Sequence, residues 1–139
     1  MRKLLVFVFL FLSSHVFAQP QLEGGLETFI KSNLHYPEFS LRNCVEGTVT
    51  IAFQLNNEGQ VISSAVQSGV GTDLDDEALR MIRKSSGKWK IPPGYDTKLL
   101  LVVPVNFKLE GLGCELRNKA EIQQAIASYK AEQGLTDAI

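Results

Sequence analysis

Apolar and polar positions alternate most regularly in two stretches of the chain. Val49, Ile51, Phe53 and Leu55 are interleaved with Thr48, Thr50, Ala52 and Gln54, the period of a strand with one buried face. Residues 99–109 repeat the pattern, with Leu99, Leu101, Val103, Val105, Phe107 and Leu109 on one side. The opposite side is apolar only at Leu100 and Val102, so part of it needs a cover. After the first strand, Asn56-Asn57-Glu58-Gly59 supplies turn residues, and residues 60–67 resume an extended Val/Ile/Ser-rich pattern, which predicts a hairpin.

Three other stretches have helical spacing. Leu26, Phe29, Ile30 and Leu34 share one face, and Tyr36-Pro37 ends that pattern because proline restricts the residue before it. Leu74, Ala78, Met81 and Ile82 form the stripe of a second helix. Thr72 or Asp73 can cap it, acids open it, and Arg80, Arg83 and Lys84 lie towards its negative end before Gly87 stops it. Beyond Cys114, residues 116–133 lack proline and glycine and place Ile122, Ala125, Ile126 and Tyr129 on one side of a third helix.

The order after the first helix is strand, strand, helix, strand. A right-handed crossover would be needed for the third strand to run parallel to the second, so the simplest pairing sets strands one and three antiparallel. The expected sheet order is 2-1-3, and Pro104 agrees, because a residue without an N–H belongs on an edge strand. The fold class is therefore α+β: a three-stranded antiparallel sheet with two helices on one face and an extra C-terminal helix.

The first residues change the compartment. Met-Arg-Lys precedes an apolar run over residues 4–12 and a Val16-Phe17-Ala18 tripeptide, the arrangement of a secretory signal. An apolar run of about nine residues falls short of the roughly 20 that cross a bilayer. Cleavage after Ala18 would leave 12 basic against 15 acidic side chains, a net charge near −3, which does not attract nucleic acid. The expected organisation is a signal peptide at 1–18, one domain at 19–113 and a helical extension at 114–139, exported to the periplasm or released.

With these elements in place, the chain resembles TonB C-terminal domains. The likeness spans residues 24–109 and rests on Tyr36-Pro37, Glu46-Gly47-Thr48-Val49, Asn57-Glu58-Gly59, Leu74-Asp75-x-Glu77-Ala78, Trp89-Lys90 and Pro104-Val105-Asn106-Phe107 in this order. The resemblance implies no enzyme and no cofactor. It implies a protein partner, an outer-membrane transporter or another envelope protein, whose extended segment adds to the edge of the third strand. The residues expected there are Leu99, Leu100, Leu101, Val102, Val103, Pro104 and Val105. Two features depart from the family. The chain shows neither a transmembrane helix nor a Pro-rich spacer, and Cys44 stands where similar sequences often carry a glycine or another residue, together with Cys114 and the tail beyond it.

An exported chain with two cysteines favours a disulfide. Antiparallel first and third strands bring the start of one beside the end of the other, which lets Cys44 and Cys114 meet; closing about 70 residues would stabilise by ~4 kcal/mol in the chain-entropy account, and free or intermolecular thiols are the alternative. Other candidates have simpler explanations. Asp73, Asp75, Asp76 and Glu77 suggest a cation site but sit where a helix start wants acids. His35 has no motif around it, and Gly24, Gly25, Gly69 and Gly71 lack a phosphate-loop context. Trp89 and Tyr95 flank a Pro-rich loop as a contact patch or as core. Two readings of the third-strand edge remain: it receives a partner, or the C-terminal helix covers it and binding moves to strand two. Self-association of exposed strand edges is the structural alternative.

Overall fold

The computed structural model describes residues 18–111 and 113–134. Residues 1–17 of the expected signal, Leu112 and residues 135–139 lie outside them. In chain order the elements are β1 (Gln21–Leu22), α1 (Leu26–Asn33), α2 (Glu38–Arg42), β2 (Gly47–Leu55) and β3 (Val61–Ser68). They continue with α3 (Asp73–Lys84), β4 (Trp89–Lys90), β5 (Leu101–Phe107), a 3-10 turn at Cys114–Leu116, and α4 (Lys119–Glu132). No helix among the described residues is long and apolar enough to cross a membrane.

The main sheet has the order β3-β2-β5, antiparallel throughout, so the expected 2-1-3 arrangement holds with β2 in the centre. Its inner face carries Val49, Ile51, Phe53 and Leu55, all fully buried. α3 contributes Leu74, Ala78, Met81 and Ile82 to the same core, α1 contributes Phe29, and β5 contributes Val103, Val105 and Phe107. The hairpin works as its residues suggest. Asn56 Oδ1 accepts from the backbone N–H groups of Glu58 and Gln60, and Gly59 adopts φ +75.

Three features differ from the sequence expectation. The third strand begins at Leu101, because the N–H of Leu99 turns back to the carbonyl of Asp96, and its ladder ends at Phe107. Leu99 and Leu100 are thus exposed residues before the strand. A short helix, α2, follows Pro37, which sits at its N-cap. A separate two-residue ladder joins Gln21 to Lys90 and Leu22 to Trp89.

Several of the recurring residues tie the sheet ends together. Tyr36 donates its hydroxyl to the carbonyl of Val45 at 2.6 Å and meets Phe107 edge-on, with ring centroids 5.8 Å apart. Burial, with Glu46 and Asp73 nearby, pushes the Tyr36 hydroxyl pKa far up, so it stays a donor. A carboxyl oxygen of Glu46 accepts from the N–H of Leu109 and so holds the end of β5 beside the start of β2.

Cys44 and Cys114 are joined by a disulfide with 5.5 Å between their Cα atoms. Cys44 has φ +53, and it is the only non-glycine residue with positive φ among the described residues. A side chain in that left-handed region costs about 1–3 kcal/mol. Glycine would sit there without that cost. The bridge outweighs the strain, since closing a loop of this length stabilises by ~4 kcal/mol. Cys44→Gly is therefore expected to be more stable than the reduced native protein by about 1 kcal/mol or more, and less stable than the oxidised one. Urea titration of all three forms checks the order.

Candidate functional site

The pairing of β5 decides which of its backbone groups are free. Pro104 lies opposite Thr50, and because it has no N–H it cannot belong to a pair that exchanges hydrogen bonds directly. The bonded pairs with β2 must then be its neighbours, Ile51 with Val103 and Val49 with Val105. Residues 102, 104 and 106 consequently point their backbone groups away from β2. The far edge of β5 offers N–H groups at Val102 and Asn106 and carbonyls at Val102, Pro104 and Asn106. β5 forms an edge of the sheet and pairs with β2 alone among the described residues.

Two depressions lie along this edge. One, of about 770 Å³, is bordered by the first part of β5 (Leu101, Val102 and Val103) and, across from it, by β1 and the turn into α1, with Phe53 and Trp89 also lining it. The other, of about 420 Å³, lies between Pro104 and Asn106 on β5 and Leu26, Ile30 and Leu34 of α1. Both depressions adjoin the outward backbone of β5, and Leu26, Ile30 and Leu34 give the second an apolar wall. Charges beside the groove are mixed, with Lys31 and Glu27 of α1 paired at 2.9 Å.

The structure places the sequence candidates as follows. Leu101, Val102, Val103, Pro104 and Val105 are in β5, while Leu99 and Leu100 precede it. Leu99 and Leu100 join Pro93 and Tyr95 around a third depression of about 370 Å³ at the same end. Trp89 is core: it is buried, tilts against Phe53 with ring centroids 5.3 Å apart, and donates its indole N–H to Ser85 Oγ at 2.8 Å. Tyr95 is half-buried, and its hydroxyl pKa is raised by burial and by Asp96.

The acids at the start of α3 bind backbone and side-chain donors of their own chain. Thr72 Oγ1 accepts from Leu74 N–H, Asp75 accepts from Val70 and Gly71, and Asp73 accepts from Phe39 N–H and Ser40 Oγ. Among the described residues, no group of three or more His, Cys, Asp or Glu side chains is arranged to hold a metal.

Glu77 is buried within α3 and accepts from the N–H of His35 and from the Arg80 guanidinium. Burial raises its carboxyl pKa, but the hydrogen bonds from Arg80 and His35 outweigh burial, and the net direction is down. A carboxyl with a lowered folded pKa adds stability above its unfolded pKa, and that stability is lost as pH falls through the folded value. Glu77→Gln is expected to flatten the acid limb of the stability profile below about pH 4.5, and to cost about 1–3 kcal/mol at pH 7 by weakening charge-assisted bonds. Urea midpoints at pH 7 and pH 3.5 in both proteins check this.

α4 lies elsewhere. Tyr129 stacks on Phe39 of α2 with centroids 4.6 Å apart, Ile126 enters the core, and the Lys130 stem lies against Gly71 just before α3. These contacts put the helix on the α2–α3 side of the domain. The residues that flank the β5 edge instead come from β1 and α1. The apolar stripe of α1 was legible in the sequence, but its position beside β5 was not.

Comparison with known proteins supports the fold. The family model described as Gram-negative bacterial TonB protein C-terminal matches residues 32–109, more than half of the chain. Protein TonB of Vibrio cholerae serotype O1 (strain ATCC 39315 / El Tor Inaba N16961) is 33% identical over 81 residues, covering 55% of this chain and 32% of that protein. The chain thus spans about a third of the length of this curated relative. The solution structure of the Helicobacter pylori TonB C-terminal domain superposes with a TM-score of 0.50 at 27% identity, covering 60% of this chain and 89% of that one. Cys114 and α4 lie beyond the matched residues.

Proposed function

Because the chain belongs to the family of Gram-negative bacterial TonB protein C-terminal domains and carries a protein-interaction module of that type, we propose that it acts by binding alone, without catalysis. Its site of action is the cell envelope, as an exported, soluble periplasmic protein. The bound group is an extended segment of an outer-membrane transporter or another envelope protein, which adds as a strand to the free edge of β5.

The observation that carries this reading is the row of outward backbone groups at Val102, Pro104 and Asn106, facing a groove flanked by β1 and α1. Backbone pairing supplies affinity in such a mode, and the pockets that take alternate side chains supply selectivity. Nothing in the reading requires a cofactor.

Val102→Pro tests it with little damage to the fold, since the N–H it removes is not used by the β2 ladder. One lost backbone bond is worth about 1 kcal/mol, or about fivefold in Kd. A photoreactive side chain at position 106 in the exported protein should join it to one envelope protein, and Val102→Pro should reduce that product several-fold. An unchanged product, or the same product from a photoreactive group at Ser63 on β3, would overturn the reading.

A second reading is supported by the other edge of the sheet, β3, which pairs only with β2 among the described residues. Two copies can associate there. A molar mass by light scattering that stays monomeric across a wide concentration range would remove it.

A further inference from the structure

We infer that α4 is a strap over the α2–α3 seam, that the Cys44–Cys114 bridge is its latch, and that a dithiol reductant opens it. Four observations converge on this device. The first is the left-handed backbone at Cys44, where glycine would be unstrained; the chain holds a thiol at that position for a reason other than local conformation. The second is the thin grip of α4. Among its described residues only Ile126 is buried, with Ile122 half-buried against the core and Tyr129 resting on Phe39.

The third observation is the connection between β5 and the bridge. Gly111 and Gly113 both adopt positive φ, +76 and +73, so the segment leading to Cys114 turns on residues with little conformational preference. The fourth is access: both cysteines are only partly buried, so an external thiolate can reach the sulfurs.

A helix of this length is marginal in water by itself. Fixing Cys114 a few residues before Lys119 shortens the tether of α4 and so raises its effective concentration at the seam. Breaking the bridge returns the helix to a looser tether through a glycine-containing connection. In the exchange, one thiolate of the reductant attacks a sulfur of the bridge and forms a mixed disulfide, and its second thiolate displaces the bound cysteine. The reductant ends as a disulfide, having given two electrons and two protons, and Cys44 and Cys114 end as thiols. The open form bares Phe39 and the seam between α2 and α3, a surface separate from the β5 edge.

Hydrogen exchange on the exported protein, with and without dithiothreitol, tests the device. On reduction, amides within α4 should become at least about tenfold less protected than those of β2, whose own protection falls only by the global stability that the bridge contributes. The double variant Cys44→Gly/Cys114→Ser should show the same pattern without reductant, because glycine fits position 44 and the domain is spared the strain. Unchanged protection of α4 in the reduced protein and in the double variant would overturn the proposal. Equal residual protection of α4 and β2 in both would overturn it as well, since the helix would then be part of the cooperative core.

Discussion

Replacing Gly59 by alanine is expected to destabilise the domain by about 3 kcal/mol, far more than an exposed turn residue ordinarily costs. Two effects add. Gly59 has φ +75, a conformation that an L side chain adopts with strain, and a Cβ there would lie 2.1 Å from the backbone carbonyl oxygen of Trp89. That neighbour is main chain held by the β1–β4 ladder, and Gly87 donates its N–H to the Gly59 carbonyl at 2.8 Å, so neither side can give easily. Relief would require the hairpin to move off the Trp89 segment. Trp89 is the only tryptophan, so its fluorescence reports both the displacement and the unfolding midpoint. A loss below about 1 kcal/mol would mean that the turn and the Trp89 segment are not in contact.

Phe53→Ala is the second large effect, expected at about 4 kcal/mol. Phe53 is fully buried in the centre of β2, lies across from Leu101 on β5 and Ser64 on β3, and packs on Trp89. Truncation leaves a cavity whose walls belong to different elements and collapse poorly. Phe53 also borders the larger groove beside β5 from below its surface. Phe53→Leu keeps most of the volume and should cost less than half as much. Chemical denaturation of both variants gives the comparison, and equal losses would contradict a cavity as the cause.

The main sheet was legible in the sequence because period-two alternation in β2 and β5 is long enough to be unambiguous, and because Pro104 identifies an edge strand. α3 was legible for the same reason at a period of 3.6. The two-residue strands β1 and β4 were not, since pairing of so short a segment depends on partners about 70 residues away and leaves no periodic trace. α2 is a single turn and a half, too short for a stripe. The limits of β5 were also hidden: Leu99 continues the apolar alternation, yet its N–H closes a turn with Asp96 instead of joining the ladder.

At the candidate site, the open backbone edge followed from Pro104, whereas the grooves beside it required knowing that α1 and β1 lie across from β5. The stripe on α4 was visible, but the surface it covers is set by single contacts, Tyr129 on Phe39 and Lys130 on Gly71, that no pattern records.

The missing donor at Pro104 also bears on how an exposed edge stays free of fibrils. Two copies brought edge to edge, antiparallel and centred on this residue, would set proline against proline, leaving both central carbonyls without a donor in a closed interface. A foreign strand with an ordinary residue at that position donates to the Pro104 carbonyl and leaves only one acceptor wanting. The imino ring thus biases the edge against its own kind and towards a different chain.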